Sequence, residues 1–260
     1  MPRSGRRDRG AARRNAAESL RPSAGATGSL PARALLPRRI RTIVSRLSKA
    51  HGPRPWKKED DPVEQLVATI LSQNTNDVNS AAAYEHLTRR FRTWQEVLAA
   101  PVEQVADAIR TGGLADQKAR TIQRALARIK QDFGRISLDA LAAWAAARSM
   151  EYLTSIPGIG PKTAACVLMF AFSLPVFPVD THIHRLAIRL GLVPPKSTAA
   201  QTQVALQAAC PPDRVYPFHV LLITHGRRVC HAQRPDCAAC LLKDLCPSAF
   251  TFEHNRRSQR

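Results

Sequence analysis

Apolar positions recur at helical spacing along most of the chain. Between residues 35 and 49, Leu36, Ile40, Ile43, Val44 and Leu47 fall three or four apart, as on one face of an amphipathic helix. A polar, Pro-containing linker covers residues 51–61. Pro62 then opens a second helix that runs to Ser72. Its missing N–H costs nothing in a first turn, and Asp61 stands where an N-cap belongs. The same period marks residues 77–91, 93–99, 102–110 and 116–133. Residues 138–148 form an Ala-rich helical segment around Trp144. No segment alternates over strand length, and no repeat of roughly 20–50 residues recurs. The pattern predicts an all-α protein of short helices joined by short turns.

Composition narrows the partners. The 260 residues hold 39 Lys+Arg against 20 Asp+Glu, a net charge of +19, with a pI near 10.9. The length suffices for a full core, in one large domain or two modest ones. A hydrophobic content of 44% argues against wholesale disorder. The charge calls for a polyanion, nucleic acid before an acidic membrane surface. Arginine outnumbers lysine 31 to 8, which suits bidentate phosphate contact, though GC-rich codon usage yields the same bias. Residues 1–33 carry +6 and residues 248–260 carry +2, leaving +11 between them. The first 33 residues lack periodicity and read as a disordered basic arm that touches DNA. An Arg-rich, acid-poor N-terminus also fits mitochondrial or nuclear targeting; the simpler expectation is a cytoplasmic, nucleoid-associated bacterial protein. The most apolar stretch, residues 167–177, is short and contains Pro175, so no membrane span is expected.

Four of the six cysteines, Cys230, Cys237, Cys240 and Cys246, are spaced C-x6-C-x2-C-x5-C. So tight a cluster makes a poor disulfide staple, and nothing indicates export. Structural zinc usually takes two short Cys-x2–4-Cys knuckles around a longer insert. One Cys-x-x-Cys between longer arms suits a [4Fe–4S] cubane better, although four thiolates serve either centre. Arg227, Arg228, Arg234 and Lys243 bracket the loop and suggest a staple that holds cations toward phosphates. Cys166 and Cys210 read as buried thiols.

The strongest local signal is Ile156-Pro157-Gly158-Ile159-Gly160-Pro161-Lys162-Thr163-Ala164. Gly158 and Gly160 shape a tight turn whose amides an anion can approach, and Pro161 suits the first turn of the next helix. An ordinary αα-turn is the plainer alternative. Lys162 would lie in that first turn, where the helix dipole and partial burial both favour the neutral, nucleophilic amine. A phosphate-contacting lysine is the competing role. Asp180, within Val179-Asp180-Thr181-His182-Ile183-His184-Arg185, is placed to cap the helix running to Leu190. A carboxylate near Lys162 would also stabilise positive charge at a sugar carbon.

Together, the Ile156–Ala164 hairpin, Val179-Asp180-Thr181-His182 and the cysteine loop resemble endonuclease III. That is the iron–sulfur branch of the helix-hairpin-helix DNA glycosylases. The resemblance runs from about residue 35 to residue 247. It implies a six-helix domain (56–174) that includes the hairpin. It also implies a [4Fe–4S] cluster domain (34–55 and 175–247), with the active site in the cleft between the two. The arm (1–33) and a basic tail (248–260) flank them. By the resemblance, Lys162 attacks C1′ of a damaged nucleotide, Asp180 assists base departure, and the four clustered cysteines hold the cluster. Gly158, Gly160, His182, Arg185 and Arg234 would contact DNA. Leu114, in Gly113-Leu114-Ala115, matches a leucine that enters the duplex where a nucleotide has flipped out. Asn74 aligns with a glutamine that fills the opposite gap, and Gln73 stands one step earlier, so either is a candidate.

The implied activity is a bifunctional DNA glycosylase/AP lyase of base excision repair. It would act as a monomer on double-stranded DNA carrying oxidised pyrimidines or abasic sites. Adenine and mismatch glycosylases of the superfamily typically lack this lysine. Adenine glycosylases also carry a further C-terminal domain, for which the 14 residues after Cys246 leave no room. A non-catalytic helix-hairpin-helix protein with a structural four-cysteine metal site is the alternative from another class.

Overall fold

The computed structural model describes residues 30–56 and 61–251, with side chains from residue 36 onward. Most of the expected arm and of the C-terminal tail lie outside the described residues. The described residues from Leu36 to Thr251 belong to one compact unit. Eleven α-helices occur among the described residues, and no strand. They are α1 (Leu30–His51), α2 (Pro62–Leu71), α3 (Asp77–Arg90), α4 (Trp94–Ala99), α5 (Val102–Ala108), α6 (Ala115–Phe133), α7 (Ala146–Ser155), α8 (Pro161–Phe172), α9 (Thr181–Arg189), α10 (Ala199–Ala209) and α11 (Val215–Arg228). The all-α expectation holds. α1 begins earlier than its periodicity suggests, so residues 30–33 are helical rather than irregular; Pro31 falls in the first turn, where proline is tolerated.

Short polar residues start the helices. The Asp61 carboxylate accepts from the Val63 amide at 2.8 Å, Asn76 from Asn79 at 2.9 Å and Thr93 from Glu96 at 3.2 Å. Each cap is worth about 1 kcal/mol. One expected helix is divided. Residues 139–143 form a 3-10 turn, Trp144 is extended (φ −93°, ψ 154°), and α7 starts only at Ala146. The Trp144 ring packs against Phe133 at 6.0 Å and Tyr152 at 5.7 Å. Burying that aromatic surface outweighs the helix preference of the alanines.

Two apolar cores result. The first gathers buried side chains of α2 to α8, among them Leu66, Ile70, Leu87, Ile122, Leu126 and Leu168. The second joins Ile40, Ile43 and Leu47 of α1 to α9, α10 and α11 through Phe177, Leu186, Leu206 and Phe218. α8 serves both: Ala164, Ala165, Val167 and Leu168 face the first core and Met169 the second. A helix apolar on most sides belongs inside a fold. Its N-terminal end is thereby fixed relative to both cores. Trp56 fastens the linker after α1 by donating its indole N–H to the Phe170 carbonyl at 2.8 Å.

Candidate active site

α7, the turn 156–160 and α8 make a helical hairpin. Ile156 and Ile159 are buried in the first core, and the Ile159 amide donates to the Ile156 carbonyl at 3.0 Å. Gly158 has φ +94°, and a Cβ there would lie 2.7 Å from Thr121 Cγ2, so no other residue fits. Gly160 faces open space. It caps α8 with no side-chain bond, and Pro161 takes the first helical position. An exposed helix N-terminus with no side chain over its amides is ready for a phosphate.

Lys162 is the second residue of α8 and is half-buried. Asp180 caps α9: its Oδ1 accepts from the Ile183 amide at 2.8 Å. The two line one cavity of about 220 Å³, walled by Thr69 of α2, by Ser72 just after it, and by His219 and Ile223 of α11. The cavity thus has the first core on one side and the second on the other. His219 is buried, and the Pro178 carbonyl accepts from its Nδ1 at 3.1 Å. Burial lowers its pKa to about 4; Asp180 pulls upward, and Lys162 and Arg227 push further down. His219 is therefore a neutral neutral-pH wall. Cys166 also faces the cavity, and burial pushes its thiol up to about 11, with Lys162 pulling the other way and Asp180 reinforcing the rise. It remains an unreactive thiol. A primary amine and a carboxylate share a partly enclosed pocket, an arrangement that suits nucleophilic attack with a nearby group to stabilise positive charge.

A wider groove of about 570 Å³ adjoins, lined by Asn74, Thr75, Asn76, Asp77, His182 and Arg227. Arg227 on α11 grips Asp77 on α3 with both guanidinium nitrogens, at 2.5 and 2.9 Å. The loop between α2 and α3 separates the two gap-filling candidates. Gln73 donates from Nε2 to Thr163 Oγ1 at 3.0 Å, so it is turned into the fold. Asn74 is exposed, with φ +52°. Leu114, at the start of α6, has φ +48° and is 52% exposed. Left-handed backbone at a leucine costs about 1–2 kcal/mol, and water gains nothing from the exposed side chain.

The four clustered cysteines line a second, mainly apolar cavity with Leu186, Leu190 and Val229. Burial raises the pKa of Cys240 and Cys246, and neighbouring thiolates raise it further, so the set needs cationic charge to ionise together. Among the described residues, no three His, Cys, Asp or Glu side chains converge as a single ion would require. Buried Arg189 holds the loop: it donates to Cys230 Sγ at 3.2 Å and to the His231 and Ala232 carbonyls at 2.6 Å. His225 lies 3.4 Å from Cys240 Sγ and 3.2 Å from His51. No local pattern singles out Arg189, His219 or His225, because their roles arise from contacts between distant segments. Arg234 is exposed on the loop. Arg185 is turned inward, donating to the Gly226 and Cys230 carbonyls at 3.0 and 2.9 Å. His182 lies beside it, 3.1 Å from the same nitrogen.

Comparison with known proteins agrees with this architecture. Residues 67–212 match the HhH-GPD superfamily of base excision DNA repair proteins. The chain is 36% identical over 206 residues to endonuclease III of Thermotoga maritima, covering 79% of this chain and 89% of that one. It is 33% identical to endonuclease III of Escherichia coli, covering 78% and 92%. Among solved structures it is similar to a trapped endonuclease III–DNA covalent intermediate (TM-score 0.70, 28% identity, 85% of this chain and 98% of that one). A thermostable thymine-DNA glycosylase shares the fold (TM-score 0.68, 20% identity, 86% and 98%).

Proposed function

The chain belongs to the endonuclease III family of base excision repair enzymes, bifunctional DNA glycosylase/AP lyases, and from that premise we propose that Lys162 is its nucleophile and Asp180 its catalytic carboxylate. Family membership sets aside the non-catalytic alternative. The observation that carries the assignment is the shared cavity: Lys162 and Asp180 face one pocket between the two cores, beside a hairpin open to phosphate.

In the proposed reaction the Lys162 amine attacks C1′ of a flipped nucleotide. The glycosidic bond breaks, and the base leaves with its electron pair and takes up the proton that the newly bonded nitrogen sheds. Asp180 stabilises the positive charge that develops at the sugar carbon and takes part in the proton transfers. The amine and the opened sugar form an imine. Loss of a C2′ proton then expels the 3′ phosphate by β-elimination. Gly158 and Gly160 would let the DNA backbone approach, and His182, on the groove beside the pocket, and exposed Arg234 would contact it. Arg185 braces the Gly226 and Cys230 carbonyls through one terminal nitrogen and would contact DNA from there. Leu114 enters the duplex at the vacated position and Asn74 the gap opposite. Flipping costs a few kcal/mol, least at a damaged pair.

The cysteines fit a [4Fe–4S] cluster. They surround a cavity instead of a point, with Arg189 and the Leu242 amide directed at sulfur. Cys230, Cys237, Cys240 and Cys246 would hold it, and it would stabilise the loop that presents Arg234. No helix among the described residues is long and apolar enough to cross a membrane, and we read the protein as a monomer acting on damaged or abasic duplex DNA. Excision assays on duplexes carrying different oxidised bases test the substrate class. Oxidised pyrimidines should be released; release of none would overturn it.

A further inference from the structure

Lys118 is 2% exposed, and its ammonium joins two separate loops. Nζ donates to the Leu71 carbonyl at the end of α2, 2.7 Å away. It also donates to the Gly112 carbonyl in the 3-10 turn before α6, at 2.8 Å. The last carbonyls of a helix lack partners within it and carry partial negative charge, so a buried cation satisfies both groups at once. The first loop leads from Leu71 to Asn74, three residues on. The second leads from Gly112 to Leu114, two residues on. Both tips have left-handed backbone and are exposed. Over such short spans a displaced carbonyl displaces the tip. Gly112 is also pressed against α3, since a Cβ there would lie 3.1 Å from Ala83 Cβ. The second loop therefore has a rigid floor, and Lys118 ties the first loop to it.

We propose that Lys118 is a positioning residue that locks the Asn74 and Leu114 loops into one unit and fixes the spacing of the two side chains filling the gap in the duplex. This rests on the roles given above to Asn74 and Leu114. Lys118 lies under the loops and acts through them. It governs steps that need a nucleotide extruded from a duplex. It has no part in attack by Lys162 on an abasic sugar in a single strand, where there is no gap to fill.

The test is borohydride trapping with two substrates: a duplex carrying an oxidised thymine, and a single strand carrying a preformed abasic site. Lys118→Met keeps the stem and removes the donors. It should slow adduct formation on the duplex roughly tenfold or more, and leave the single-strand rate within about twofold of the unaltered protein. In a Leu114→Ala background the same change should cost less than about threefold further on the duplex, because both substitutions disable one device. Lys118→Gln retains amide donors and should recover part of the loss; it also serves if the methionine variant does not fold. Equal loss on both substrates, or independent and multiplying losses in the double variant, would overturn the proposal. No adduct from the unaltered protein on either substrate would overturn the lysine assignment beneath it, and that control separates the two failures.

Discussion

Gln73 donates its side-chain N–H to the Thr163 hydroxyl at 3.0 Å, which binds the α2–α3 loop to the hairpin helix and leaves Asn74 as the outward residue. Asn74→Gly, which removes the side chain and accepts φ +52°, should flatten the preference among opposite bases with little change in melting temperature. Gln73→Ala should do the reverse, costing about 1 kcal/mol of stability. Excision rates against the four opposite bases, with thermal melts of both variants, check this.

Asp180 has two separable duties. Asparagine caps a helix as well as aspartate does, so Asp180→Asn should keep the bond to the Ile183 amide and melt near the unaltered protein. Without the charge, base excision should fall by about 10²-fold or more. Asp180→Ala should lose the same activity and about 1 kcal/mol of stability as well. Single-turnover rates and melting curves separate the duties.

The hairpin glycines are unequal. Gly158→Ala places a methyl 2.7 Å from Thr121 at φ +94° and should destabilise the protein by about 1–3 kcal/mol and weaken binding to undamaged duplex. Gly160→Ala meets open space and should cost only what a poorer N-cap does, about 0.5–1 kcal/mol. Affinity for an undamaged duplex at fixed salt, with melts, checks the contrast.

Much of this was legible in the sequence. Pro62 after Asp61 announced a helix start that the structure reproduces, cap bond included. Asp180 was recognisable as a cap from its place before an amphipathic run. What escaped has a common cause. Trp144 breaks its helix to reach Phe133 and Tyr152, and Arg189 reaches the loop at Cys230, 41 residues on. Arg185, given a DNA contact by the resemblance, directs one terminal nitrogen at the Gly226 and Cys230 carbonyls, partners that no local pattern reveals. Local chemistry is written in short windows, whereas tertiary partners are not.

His219 makes stability depend on pH. In the folded protein its pKa lies at about 4, against an ordinary 6.5, chiefly through burial. The unfolded chain therefore binds more protons between these values, and stability is lost as the pH falls from about 6.5 toward 4. The loss reaches on the order of 3 kcal/mol. Urea midpoints across that range should fall, and His219→Gln, which keeps a donor for the Pro178 carbonyl, should make the fall shallower, with His225, also held at about 4 by burial, carrying the remainder.

The central claim concerns one amine, that of Lys162. Borohydride reduces an imine to a stable secondary amine, so trapping on damaged duplex DNA reports the bond itself. The unaltered protein should yield a covalent protein–DNA adduct. Lys162→Ala, folded as judged by its melting curve, should yield none. An adduct that survives this substitution would show that another residue is the nucleophile.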